Sequence, residues 1–254
     1  MEQQQITVNG AKICYLQRGE GTPVLLIHGN TGCNLWYEKV MDVPGFACWA
    51  PDLPNFGCSD NIDQIDIDVY ADYAKAFAEA VGLQQPIVVG HSFGGAVAMS
   101  LVLRNPGWAR SMMLVDSAPA DGLVTPEEHY PVIEQYKVNR DLMKQALGML
   151  MPDVPDVDHF ERLVDKGMEM NPDAYVGHAK ALTDFDYLEA AEKHDGTVLV
   201  VVGDKDPLIT VEHATKTASQ FPKATTRVVE GVGHAVMVER PEEFKAILRD
   251  FAGA

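Results

Sequence analysis

With 254 residues, 46% of them hydrophobic, the chain is long enough to bury one sizeable core, as a single large α/β domain or as a domain with an insert. A net charge of −17 argues against nucleic acid or an anionic membrane surface as a partner, since both require positive patches, and it disfavours a strongly anionic substrate. The charged fraction of 22% is ordinary, so wholesale disorder is not expected.

The stretch MEQQQITVNG lacks the basic and apolar regions of a signal peptide. No apolar run approaches the roughly 20 residues of a membrane span, so a cytoplasmic location is expected. ITVNGAKICYLQRG reads as two strands around an Asn-Gly turn. Cys14, Cys33, Cys48 and Cys58 all fall in the first quarter of the chain, with no CxxC pair. A chain of this length does not depend on disulfides, and the four are expected to be free thiols in a reducing compartment.

PVLLIHG, FACWAPDLP, QPIVVGHS, SMMLVDSAP and GTVLVVVGDKDP are short apolar runs of the same form. Continuous rather than alternating apolar strands predict a sheet covered on both faces. Between them DVYADYAKAFAEAVG reads as a helix ending at Gly82, and FGGAVAMSLVLRNP as one running to Pro106. RPEEFKAILRDF places Phe244, Ile247, Leu248 and Phe251 on one helical stripe behind Pro241 and two glutamates. Strands alternating with helices predict an α/β fold: a mostly parallel central sheet with helices on both faces.

From Ser117 to about Asp195 that rhythm breaks, and no buried strand is evident. This segment holds 17 acidic and 7 basic residues, a net of −10. It reads as a helical insert packed over one end of the sheet. The expected organisation is a core of residues 1–118 and 196–254 with a helical cap at 119–195.

GHSFG, Gly90 to Gly94, fits G-x-S-x-G after an apolar strand and before a helix. A serine there must adopt a strained backbone to raise its hydroxyl above the sheet, and small residues two positions to either side let strand and helix approach. Ser92 is the predicted nucleophile. It needs a base, and the base needs an acid to orient it. His234, in a glycine-containing loop after an apolar strand, is the predicted base. His129, His159, His178, His194 and His213 lie in polar or helical contexts that suit surface residues. His91 is expected to point away from Ser92, and His28 to hold its own loop in shape. Asp204, Asp206, Asp116 and Asp52 all sit at strand ends as candidate acids. The chain order Ser, Asp, His favours Asp204 or Asp206 without choosing between them. The N–H groups of Phe93, at a helix start, and of Asn30, in HGNTGCNLW, are the expected oxyanion donors.

LLIHGN, DLPNFGCSD, VVGHSFGG, VVGDKDPLI and GVGHAVMVERPEEF, in this order, resemble the motifs of the α/β-hydrolase superfamily over nearly the whole chain outside the insert. The resemblance implies Ser92 as nucleophile and His234 as base. It places the acid three residues after the glycine of GDKDP, which selects Asp206 over Asp204. It also implies a helical cap where the acidic segment falls. Asn55 stands where glycine is usual in DLPNFG, and asparagine tolerates the left-handed conformation such a turn needs. HGN followed by Trp36 is similar to haloalkane dehalogenases, but those use an aspartate nucleophile, and Ser92 sets that chemistry aside.

The expected function is a serine hydrolase cleaving a carboxylic ester of a small, neutral or apolar molecule through an acyl-enzyme. A lactonase using the same groups is the alternative within the class, and a slow-turnover ligand receptor of the same fold is the alternative from another class. Trp36, Met143, Met149 and Met151 are expected at the substrate pocket, with Met168 and Met170 as further candidates; the plainer reading is that these methionines pack the cap helices. No metal or dinucleotide motif is present, so no cofactor is expected, and the reaction needs only water.

Overall fold

The computed structural model describes residues 2–253. Strands β1 (Gln4–Val8), β2 (Ala11–Gly19), β3 (Thr22–Ile27) and β4 (Phe46–Pro51) come first, then helix α1 (Ile67–Ala80), β5 (Ile87–His91), α2 (Phe93–Arg104) and β6 (Ser111–Val115). Five helices follow: α3 (Tyr130–Tyr136), α4 (Arg140–Leu150), α5 (Val157–Gly167), α6 (Ala174–Thr183) and α7 (Leu188–Glu192). The chain closes with β7 (Val198–Gly203), α8 (Val211–Ser219), β8 (Ala224–Val229), α9 (Val236–Glu239) and α10 (Pro241–Ala252).

The strands form one sheet of eight in the order β1-β2-β4-β3-β5-β6-β7-β8. β1 and β2 pair antiparallel around Asn9 and Gly10, both at positive φ as a two-residue hairpin turn requires. β2 pairs antiparallel with β4, and every later pairing is parallel. All residues of β5 and β7 are buried, which demands cover on both faces and explains their unbroken apolar sequence. From β3 the chain runs outward to β4, then crosses back to β5 on the other side of β3. The carboxyl ends of β3 and β5 therefore flank a topological switch point, where α/β sheets open a crevice for ligands.

The helices follow their sequence signals. Asp66 caps α1 by accepting from the N–H groups of Asp68 and Val69. Gly82, at φ +80°, ends α1, its N–H donating to the Glu79 carbonyl at 3.1 Å. Phe244, Ile247, Leu248 and Phe251 form the buried stripe of α10.

One expectation is overturned. Cys14 and Cys58 form a disulfide, whereas Cys33 and Cys48 are free and buried. The antiparallel pairing of β2 with β4 carries the loop after β4 back across β2: Asp52 N–H donates to the Cys14 carbonyl at 2.8 Å, and Cys14 N–H to Ser59 Oγ at 2.9 Å. That brings the two Cα atoms to 5.8 Å, a separation that sequence spacing does not reveal. No helix among the described residues is long and apolar enough to cross a membrane.

Candidate active site

Ser92 follows β5 and caps α2 at φ +54°, ψ −122°, a conformation that costs a non-glycine residue energy and is held by its surroundings. A Cβ on Gly90 would lie 2.3 Å from the Gly94 carbonyl oxygen, and one on Gly94 2.3 Å from that of His28. Glycine at both positions lets strand, helix and the loop after β3 close around the serine. Gly29 is equally constrained, since its Cβ would meet Ser92 Cβ at 2.9 Å. Phe93 opens α2, so its N–H has no intrahelical acceptor. Asn30 and Phe93, the expected oxyanion donors, line one cavity with Ser92.

His234 Nε2 lies 2.8 Å from Ser92 Oγ, and its Nδ1 lies 2.6 Å from Asp206 Oδ2. Asp206 Oδ1 accepts from the N–H groups of Leu208 and Ile209, which fixes the carboxylate plane. A carboxylate accepts only, so Nδ1 carries the proton and Nε2 presents its lone pair to the serine hydroxyl. Burial works against the charged imidazole, but the Asp206 hydrogen bond and charge, with Asp116 and Glu239 behind, leave the His234 pKa above its ordinary value. The backbone of His234 is clamped too: its N–H donates to the Leu150 carbonyl at 2.7 Å, and its carbonyl accepts from His91 Nε2 at 2.7 Å.

The other candidate acids lie apart from this line. Asp204 pairs with Lys205 and accepts from Gly231 N–H. Asp52 is buried and accepts from Asn34 and Cys58 N–H groups, and burial lifts its pKa to about 6. Asp116 is fully buried at φ +47°, with Oδ1 accepting from Gly203 N–H at 3.0 Å and Oδ2 without a partner. Burial, reinforced by the charge of Asp206 against the opposing pull of His234, raises its pKa to about 8.

The cavity above Ser92 has a volume of about 530 Å³. α3, α4 and α6 line it through residues including Val132, Tyr136, Leu147, Tyr175 and Ala179, and Pro207, Leu208 and Ile209 complete it from the loop after β7. Trp36, Met143 and Met149 are among its lining residues. Met151 is not; it is buried at the end of α4, packed into the core, as Met170 also is. No Lys, Arg, Asp or Glu is among the lining residues.

The histidines need correction. His28 meets its expected part: Leu53 N–H donates to its Nε2 at 3.1 Å, tying the loop after β3 to the loop after β4, and burial lowers its pKa to about 4. His159 and His178, expected at the surface, are buried. His178 bonds both Asn30 and Tyr70 beneath the cavity. Its signal was present in the spacing, since His178 falls on one helix face with Tyr175, Ala179 and Leu182. Among the described residues no cluster of side chains is arranged to hold a metal ion.

Comparison with known proteins agrees with this architecture. A 2-hydroxymuconate semialdehyde hydrolase of Pseudomonas sp. strain CF600 is 24% identical over 97% of this chain and 92% of its own. Lipase 1 of Psychrobacter immobilis is 29% identical over 92% of this chain and 78% of its own. The solved esterase from Exiguobacterium antarcticum superposes with a TM-score of 0.88 at 21% identity, covering 98% of this chain and 99% of that one. The model of the alpha/beta hydrolase family matches residues 24–247. The chain belongs to the alpha/beta hydrolase family.

Proposed function

We propose that the protein is a serine hydrolase cleaving a carboxylic ester of a small, neutral or apolar molecule. The observation that carries this reading is the unbroken line from Asp206 Oδ2 through His234 to Ser92 Oγ, with separations of 2.6 and 2.8 Å, at the floor of an apolar cavity. In this mechanism His234 Nε2 takes the Ser92 proton as Oγ attacks the carbonyl carbon. Asp206 orients the imidazole and stabilises the imidazolium that forms. The N–H groups of Phe93 and Asn30 receive the oxyanion, an interaction made in full only in the transition state. His234 then protonates the departing alkoxide, and water attacks the acyl-enzyme by the same route. A lactone opens by the same steps, with the leaving alkoxide still tethered to the acyl group.

Residues 119–195 act in this reading as a cap on the core formed by 1–118 and 196–254. The cap selects substrate by shape and polarity. An anionic acyl chain would leave its charge unpaired among apolar side chains, a cost of several kcal/mol. The test is a panel of p-nitrophenyl esters of graded acyl length, with matched lactones and an ester bearing a terminal carboxylate. Repeated turnover of neutral esters is expected, with kcat/KM for the carboxylate ester lower by about 100-fold or more. Ser92→Ala should abolish turnover throughout. Full activity in that variant would reject the assignment, and one slow event per molecule would favour the receptor alternative.

A further inference from the structure

His178 lies on α6, fully buried, at the centre of a chain of side chains that runs from the loop after β4 to the loop after β3. The polarity of this chain follows from its ends. Ile62 N–H donates to Asn55 Oδ1, so the Asn55 amide nitrogen donates to the Tyr70 oxygen at 2.8 Å. The Tyr70 hydroxyl therefore donates to His178 Nε2 at 2.9 Å. His178 Nδ1 must then carry the proton and donate to Asn30 Oδ1 at 2.8 Å, an oxygen that independently accepts from Thr31 N–H at 3.0 Å. Burial, aided by neighbouring His28, lowers the His178 pKa to about 3, in keeping with the neutral ring this pattern requires. The ring is stacked on Phe56 at 4.9 Å and lies 4.5 Å from Phe93.

The Asn30 end of the chain is strained. Thr31 sits at φ +54°, where a β-branched residue is rarely found. Its N–H and hydroxyl both turn back onto Asn30. Such a conformation persists only when its surroundings hold it, and here the holding group is a helix of the insert rather than the core.

We propose that His178 is a positioning residue for the oxyanion loop, holding Asn30 and the strained Thr31 turn against Ser92 through its Nδ1–H, with Tyr70 and Asn55 fixing its tautomer. The proposal rests on the reading of Ser92 as nucleophile and the Asn30 N–H as oxyanion donor. It makes α6 a part of the catalytic geometry as well as a wall of the cavity. Losing the contact should then lower kcat while leaving KM nearly unchanged, because the misplaced donor acts on the transition state.

Two substitutions separate positioning from packing. His178→Phe keeps an aromatic ring in the stack and removes the N–H, whereas His178→Asn keeps a donor near the Nδ1 position and removes the ring. The expected result is a kcat about 10-fold or more below wild type for His178→Phe, with a parallel loss of affinity for a trifluoromethyl ketone that forms a tetrahedral adduct. His178→Asn should retain more kcat than His178→Phe despite a lower Tm. Tyr70→Phe, which deletes one hydroxyl, should lower kcat severalfold and serves if the His178 variants fail to fold. Wild-type kcat in His178→Phe or, should that variant not fold, in Tyr70→Phe would overturn the proposal, as would a change confined to KM. Ser92→Ala run alongside distinguishes the failures: persistent turnover there rejects the reading of the site itself, whereas an inactive Ser92→Ala beside a fully active His178→Phe rejects only the role of His178.

Discussion

Ser92 stands at φ +54° because the residues around it leave no other course: Gly90, Gly94 and Gly29 each lack the Cβ that would force the surrounding loops apart. Asp116 is another residue held in an unusual state. It is fully buried beside the Asp206–His234 pair, and its pKa of about 8 stands far above the ordinary 3.8. The folded protein thus keeps a proton that the unfolded chain has released, so stability is undiminished below about pH 4 and falls as pH rises from about 4 to about 8. Asp116→Asn retains an acceptor for Gly203 N–H and removes the ionisation. Thermal unfolding followed by circular dichroism should show the variant more stable at pH 8, by about 3 °C or more, with the advantage shrinking toward pH 5. A difference independent of pH would mean that Asp116 does not carry this linkage.

The helices and strands differ in how far their own residues specify them. β3, β5, β6 and β7 are legible as continuous apolar runs because both faces of the sheet are covered, and α10 is legible because only one of its faces is. Ser92 and Asp206 are legible as candidates because each follows such a run, whereas His234 follows the mostly exposed β8 and is legible from its glycine-containing loop ahead of the last helices. The Cys14–Cys58 pairing is not legible, since it depends on where β4 returns beside β2. Nor is the burial of His178, which depends on how α6 docks over Asn30 and Tyr70. The disulfide closes a loop of sequence separation 44 and anchors the segment that carries Leu53 and Asn55, the partners of His28 and Tyr70. Its loss should cost about 2–4 kcal/mol. A reductant should lower the Tm of the wild-type protein and leave that of Cys58→Ser unchanged; equal responses would show that the bridge does not contribute.

Over the whole molecule, the polar chemistry gathers at the carboxyl ends of the central strands beneath a cavity of about 530 Å³, and the charge stays away from it. The chain carries a net −17, of which −10 lies between residues 117 and 195, yet no Asp, Glu, Lys or Arg lines the cavity. Solvent-facing charge and an apolar interior suit the proposed hydrolysis of neutral substrates, in which charge develops on the carbonyl oxygen above Ser92 and on the His234 ring that Asp206 supports. The most direct measurement is mass spectrometry of the protein after reaction with a fluorophosphonate, with the modified peptide sequenced and ester turnover followed on the same sample. The account predicts one adduct, on Ser92, appearing in step with loss of turnover and absent from Ser92→Ala. An adduct on another residue that abolishes turnover, or ester hydrolysis undiminished after Ser92 is fully labelled, would contradict it.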